Sequence, residues 1–275
     1  MTSLAFDDAH FLRESVVDIN AAVVGISKAR WEAVEIAEAT TELALDKMKN
    51  HRFDVLPIVD GTEVKGYFCT DKWNDFSSIS QKNIGHRDVI SFHTNLRDVI
   101  KGFALESRHF YFLANERRIV GLISIVNLNC RQVKVYLYSL LSELEVSLAH
   151  LIEQHISDHE LVDLIFGNNV KGKHVAVKKH YESDKANGVE GRFVEYLYLP
   201  DLIKIATNSK SKVYKRLGYS SGTSFRNGLH LGSLISLRNK VAHPVRSIIT
   251  DGSSVQDLWA KVDHIEEALF KLGGR

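Results

Sequence analysis

From Leu237 to Pro244 the chain reads Leu-Arg-Asn-Lys-Val-Ala-His-Pro, and Arg238, Asn239 and His243 are residue types that could cut RNA. Asn239 and His243 are four apart, so on a helix the amide can reach the imidazole and fix its tautomer. Pro244 disfavours helical geometry at His243, which places the imidazole in the last turn or just beyond it. There the negative end of the helix dipole favours its charged form. Arg238 adds a permanent cation whose planar fork suits a phosphate. Cleavage by the RNA 2′-hydroxyl needs a base to take its proton, cations around the crowded phosphorus, and an acid for the departing 5′-oxygen. An unperturbed imidazole titrates near pH ~6.5 and serves either proton role. One imidazole can hardly act on both sides of phosphorus, whereas a twofold dimer would supply two copies of Arg238 and His243 to one cleft. Such chemistry requires no metal.

The residues ahead of the motif, Leu231, Leu234, Ile235 and Val241, recur with helical period and would bury one helix face. This run resembles the R-x-x-x-x-H motif of the HEPN superfamily, with Asn239 at the family's small polar position after the Arg. The resemblance implies an all-helical domain and a metal-independent, dimeric endoribonuclease of toxin or antiviral-defence type. Arg238, Asn239 and His243 would be its catalytic residues, and 2′,3′-cyclic phosphate and 5′-hydroxyl ends its products. It also implies an antitoxin or defence-system partner. One HEPN subgroup carries a modifiable Tyr two positions after the His; Val245 stands there, so that form of control is not expected. The rival reading is a non-catalytic RNA-binding or protein-interaction module in which Arg238 and His243 serve structure.

RNA contacts would come from local basic segments, because 35 basic residues against 34 acidic ones give no global pull toward nucleic acid. Gly167 to Arg192 reads as a long polar loop carrying Lys171, Lys173, Lys178, Lys179 and Lys185. Farther on, Lys210, Lys212, Lys215 and Arg216 are interleaved with Tyr214 and Tyr219. Cations beside aromatic faces suit single-stranded RNA, and Lys178, Lys179, Lys212, Lys215 and Arg216 are the expected contacts; solvated surface is the plainer reading.

Stepping toward the N-terminus, the first half contains an internal repeat. Thr41 caps an amphipathic helix with Leu43, Leu45 and Met48, followed by a strand from Phe53 to Val59, a turn at Asp60-Gly61, and a strand from Val64 to Thr70. Thr94 and Asn95 then precede a helix with Leu96, Val99, Ile100 and Phe103, a strand from His109 to Leu113, and another from Ile119 to Ser124. From capping Thr to the last strand's Gly, the copies differ by only two residues, which implies two copies of one small unit. The repeated β-α-β-β-α order resembles a tandem pair of CBS domains, through Val55 to Asp60 with Gly66 in one copy and Ile119 to Leu128 in the other. That resemblance implies a regulatory module binding an adenine nucleotide. Its binding residues would be Thr70 and Asp71 in the first copy and Ser124 and Asn127 in the second, although Asp71 directly follows Thr70 and Asn127 stands where the family uses an acid. A purely structural or dimerising pair is the alternative.

Leu137, Leu141, Leu144, Leu148 and Leu151 form a seam on a helix expected from about Asn127 to about Ile156, with no flexible linker before it. It could couple the halves mechanically or simply pack a core. The stretch from His159 to Phe166 continues helix-like, and further helices are expected from Tyr196 to about Asn208, Ser224 to about His243, and Ser254 to Leu272, so that with the seam helix four helices make a bundle with a long insertion. The expected architecture is therefore α+β: a tandem CBS-like module over 17–128 and an all-α HEPN-like bundle over 129–275. His150, His155 and His159 lack a third-ligand pattern and read as a solvated face. Gly218 and Gly222 lack the Lys-Ser/Thr ending of a phosphate loop and read as a turn before a helix. Cys69 and Cys130 form no C-x-x-C pair, which fits a reducing cytosol. Asp7 and Asp8 beside Phe6 do not form a leader, and no apolar run approaches transmembrane length; a soluble, cytoplasmic homodimer is expected.

Overall fold

The computed structural model describes residues 19–106, 108–166, 173–189, 191–243, 245–251 and 253–273. The expectations at Phe6, Asp7, Asp8, Lys171 and Pro244 lie outside them. In chain order the first elements are α1 (Ala21–Val24), β1 (Ile26–Ser27), β2 (Val34–Glu35), α2 (Thr41–His51), β3 (Val55–Asp60), β4 (Glu63–Thr70), β5 (Ile79–Asn83), β6 (Val89–Ser91), α3 (Leu96–Leu105), β7 (Phe110–Asn115) and β8 (Arg118–Ser124). They make two four-stranded mixed sheets, ordered β2-β3-β4-β5 and β1-β8-β7-β6.

The repeat is more regular than the sequence suggested. Thr40, rather than Thr41, caps α2 by accepting the Leu43 N–H, and Asn95 caps α3 by accepting that of Asp98. With that correction the caps lie at the same interval from Gly66 and Gly121. Each hairpin carries an irregularity at the same place, between Ile58 and Val59 in one and between Leu113 and Ala114 in the other. Both glycines are required by a crossing strand. A Cβ at Gly66 would stand 2.8 Å from the Lys82 carbonyl oxygen of β5, and one at Gly121 would stand 2.5 Å from that of Ile26 in β1. The fourth strand of the second sheet thus comes from ahead of the first repeat.

Alternation along the strands divides the apolar residues between two cores. Phe68, Leu56 and Ile58 pack with Ala44 and Met48 of α2. From the other face of that sheet, Val55, Tyr67 and Cys69 cluster with Phe110, Phe112 and Leu122 of the second sheet. Edge-to-face rings, Tyr67 on Phe110 at 5.2 Å between centroids and Phe110 on Phe112 at 5.8 Å, fill the layer between them. These sheets and helices are consistent with the tandem repeat expected from the sequence.

The remainder is largely helical: α4 (Arg131–Glu153), α5 (Asp158–Phe166), α6 (Lys173–Ala186), α7 (Leu199–Ala206), α8 (Val213–Arg216), α9 (Gly222–Gly228), α10 (Leu231–Val241) and α11 (Ser253–Lys271). The leucine seam of α4 is buried at every position from Leu137 to Leu151. Among the described residues α4 is the one helix long and apolar enough to cross a membrane by length and composition, contrary to the sequence expectation, with 44% of its apolar window buried.

Three expectations are corrected. The loop expected over Gly167–Arg192 contains α6, whose apolar periodicity is faint because Tyr181, packed edge-to-face on Phe193 at 5.1 Å, carries much of its burial. The helix expected from Ser224 to His243 is broken at His230, whose backbone is left-handed at φ 50°. The helix expected from Tyr196 begins at Leu199, after a 3-10 turn over Phe193–Tyr196. Eight α-helices, α4 to α11, are therefore found among the described residues from Arg131 onward, where a four-helix bundle was expected.

The chain divides into two compact units, one drawn from 1–137 and 244–260 and the other from 138–243 and 261–275. In the first, the Asn129 side chain pins the returning segment: its carboxamide oxygen accepts the Ile248 and Ile249 N–H groups at 2.7 and 2.9 Å, and its NH2 donates to the Ile249 carbonyl at 3.0 Å. Arg97 lies over the Trp259 ring at 5.1 Å in the same unit.

Candidate functional site

In the first unit, polar groups from the ends of β4, β5 and β7 meet at one cleft of about 190 Å³. Thr70 ends β4 and Asp71 follows it. Lys82 on β5 is paired across the ladder with Tyr67, and Arg108 and His109 lead into Phe110 on β7. Tyr67 and Phe110 supply aromatic surface, and Cys69 also lines the cleft.

A hydrogen-bond chain joins the two repeats across this cleft. His109 Nε2–H donates to the Thr70 carbonyl at 3.0 Å, which fixes the imidazole tautomer. The Thr70 hydroxyl lies 3.5 Å from Asp54 Oδ1, which also accepts the Asn74 N–H at 2.6 Å. Asp54 and His109 occupy the same place in the two repeats: the Asp54 carbonyl accepts the Thr70 N–H at 3.1 Å, and the His109 carbonyl accepts that of Ile125 at 2.9 Å. One backbone position therefore presents an acid in the first repeat and an imidazole in the second. Burial pushes the Asp54 carboxyl above its ordinary value. Burial pulls the His109 imidazole below its own, helped by Lys82 and Arg108 and opposed by the Thr70 carbonyl and Asp54.

Arg108 is held by Asp88 at 2.6 Å, with a second contact to Glu106 at 3.3 Å. Burial alone would raise the Asp88 carboxyl, but hydrogen bonds from Arg108 and the Gly85 N–H outweigh it and leave the group below its ordinary value. These acids orient the guanidinium beside the cleft.

Of the residues expected at a nucleotide site, Thr70 and Asp71 line the cleft, and Asp71 accepts the Ser78 hydroxyl at 3.2 Å. Ser124 and Asn127 are engaged with each other: the Ser124 N–H and hydroxyl both donate to Asn127 Oδ1, at 2.8 and 3.1 Å, closing the 3-10 turn after β8. The repeat register places Ile125, not Ser124, opposite Thr70. Sequence reasoning missed Lys82, Arg108 and His109. The spacing of Asp54 and His109 from their glycines was the available signal.

In the helical unit, Arg238 is partnered within its own chain. Its Nε lies 3.8 Å from Glu145 Oε1, and its guanidinium stacks over the Tyr198 ring at 5.4 Å. The same Glu145 oxygen accepts the Leu199 N–H at 3.1 Å at the start of α7. Arg238 thereby ties α10 to α4 and α7. Asn239 and His243 are exposed, His243 lying just beyond the end of α10.

Lys178 and Lys179 stand on α6, with Lys178 Nζ 3.6 Å from Glu182 one turn on. Lys212, Lys215 and Arg216 are exposed around α8, but Tyr214 between them is buried and Tyr219 packs edge-to-face on Phe225 at 5.3 Å. A larger cleft of about 360 Å³ in this unit, bordered by Tyr198, is lined by His180, Asp184, Glu195 and Tyr196, with the Tyr196 hydroxyl donating to Asp184 at 2.7 Å. Among the described residues its wall carries two carboxylates and no Lys or Arg, which makes it a poor seat for phosphate. Among the described residues no group of three or more His, Cys, Asp or Glu side chains is arranged to hold a metal ion.

No family model matches the chain, and no curated protein matches it. Among solved structures it is similar to the CBS domain of a bacterial CNNM/CorC family Mg2+ transporter in complex with ATP, at 13% identity over 48% of this chain and 96% of that one, with a TM-score of 0.32. It is also similar to a hemolysin-like protein containing a CBS domain from Oenococcus oeni PSU, at 16% identity over 45% and 94% of the two chains, with a TM-score of 0.32. These likenesses are distant and partial.

Proposed function

We propose that the protein is a ligand-responsive binding protein: its N-terminal unit takes an adenine nucleotide, and its helical unit engages a macromolecular partner without catalysis. The observation that carries this reading is the convergence of Lys82, Arg108 and His109 with Thr70 and Asp71 on one cleft walled by Tyr67 and Phe110. The cations suit phosphate, the carboxylate of Asp71 suits a ribose hydroxyl, and the rings offer apolar surface to a base. Adenine as the base is what the CBS-like sequence pattern implies. The engagement of Arg238 by Glu145 and Tyr198 supports a structural role for that residue in the helical unit.

Calorimetry with AMP, ADP and ATP to millimolar concentration tests the reading. At least one should bind, and Lys82→Ala should weaken it by about tenfold or more, the order expected for losing one charge-assisted hydrogen bond. Heat indistinguishable from dilution for all three would overturn it.

RNA cleavage by Arg238, Asn239 and His243 is the second reading, favoured by the exposure of Asn239 and His243 at the end of α10. Incubation with total RNA in chelator, with and without adenine nucleotides, and mapping of the ends tests it. Cyclic phosphate ends that disappear with His243→Ala would establish it.

A further inference from the structure

Resting on the nucleotide reading, we propose that the N-terminal cleft binds its phosphate ligand together with a proton, taken up on Nδ1 of His109. The geometry selects that nitrogen. Nε2–H already donates to the Thr70 carbonyl, a bond that suits both the neutral ring and the imidazolium, so only Nδ1 has room for another proton. The carbonyl is held in turn by the ladder of β4 and by the Thr70–Asp54 contact, so the ring is oriented before any ligand arrives.

The groups facing His109 come from three directions. Asp54 lies across the repeat axis and favours the imidazolium; Lys82 on β5 and the neighbouring Arg108 oppose it. Asp71 lines the same cleft. Arg108 is partly neutralised by Asp88 and Glu106. In the ligand-free cleft burial and the two cations keep the ring neutral near pH 7. A phosphate seated against Lys82 and Arg108 reverses that balance, because it satisfies both cations and adds negative charge to a partly desolvated space. The affinity of the imidazole for its proton must then rise.

Linkage fixes the direction of the pH effect. Binding that raises a histidine pKa strengthens as pH falls from the bound value toward the free one, by tenfold for each unit between them, and is flat outside that window. The device would make the cleft read proton and phosphate concentrations jointly.

The test is calorimetry of the full chain with ATP in chelator near pH 7, in buffers of different ionisation enthalpy, whose slope counts protons taken up. The wild type should take up part of a proton beyond that contributed by ATP itself, measured alone. His109→Gln should bind ATP without that excess, because its amide can still donate to the Thr70 carbonyl but does not titrate. As a check needing no substitution, the His109 ring resonances should titrate at higher pH with ATP than without. Binding with the same proton count in wild type and His109→Gln, or a His109 titration that ATP leaves in place, overturns the proposal and leaves the nucleotide reading standing. Absence of ATP, ADP and AMP binding overturns both.

Discussion

The cleft in the N-terminal unit and the end of α10 in the helical unit were both visible in the sequence as polar residues closing an apolar element, and the fold treats them in opposite ways. At the cleft, residues from β4, β5 and the lead into β7 converge, and Asp88 and Glu106 hold Arg108 in place. At the end of α10, Arg238 is turned to Glu145 and Tyr198. The contrast teaches that a motif confined to one helix reports local register, whereas a binding site depends on which other elements arrive beside it.

The layer beneath the cleft offers the most severe way to break this contrast. Phe112 is fully buried and touches Trp31, Tyr67 and Phe110 through its ring. Phe112→Ala should cost about 3–5 kcal/mol and abolish ligand binding with it. Chemical denaturation measures the first, and calorimetry the second. A loss below about 1 kcal/mol would mean that the two sheets do not depend on this layer.

Removing Arg108 should have the next largest effect. Arg108→Ala takes the strongest partner from the buried Asp88 carboxylate and leaves it the Gly85 N–H and the Tyr67 hydroxyl, a loss of about 1.5–3 kcal/mol at neutral pH. Because Asp88 titrates below its ordinary value when folded, the stability it contributes is present above the unfolded carboxylate pKa of about 3.9 and is lost as pH falls through the folded one. The difference between wild type and variant should therefore shrink toward pH 3. Denaturation curves at pH 7 and pH 3.5 check this, and an equal difference at both would show that Arg108 acts by packing rather than charge.

How far the sequence foretold these regions follows from what each depends on. The repeat was legible because Gly66 and Gly121, and the apolar runs beside them, recur at a nearly fixed interval. Its short strands were not: β1, β2, β5 and β6 are two to five residues long, too short to show alternation, and β1 joins a sheet formed far along the chain. Thr70 and Asp71 could be named from their position at a strand end. Arg108 could not, because its role comes from crossing to the other repeat, and His109 was marked only by its spacing from Gly121. In the helical half, α6 escaped notice since a mostly polar helix packing through few apolar side chains leaves little periodic signal, and the break at His230 lies in backbone geometry that a non-glycine residue does not advertise.

A smaller effect is expected at Arg238. Its pair with Glu145 is long and about a quarter exposed on both sides, so Arg238→Ala should cost about 0.5–1.5 kcal/mol, including the stacking lost over Tyr198. Thermal denaturation in low and high salt separates the parts, since salt screens the ion pair more than the ring contact. Lys at this position should recover less than its charge suggests, because it lacks the planar surface that lies on the tyrosine. A variant as stable as wild type would remove the structural account of Arg238 and return weight to a catalytic one.

The smallest effect on stability is expected at His243, and for that reason it discriminates most sharply between binding and cleavage. The residue is exposed and follows the Ala242 cap of α10, its N–H donating to the Lys240 carbonyl at 3.4 Å in a main-chain bond that alanine keeps, so His243→Ala should change stability by no more than about 0.5 kcal/mol. A structural residue of that kind leaves every other property unchanged when it is trimmed. A general acid or base does not: its removal costs roughly a hundred- to ten-thousandfold in rate with the fold intact. Incubating RNA in chelator with wild type and His243→Ala at matched concentration should give no cleavage by either if the helical unit is a binding module. Cleavage by the wild type, lost in an equally stable His243→Ala protein, would reverse the contrast between the two regions and make the end of α10 the active one.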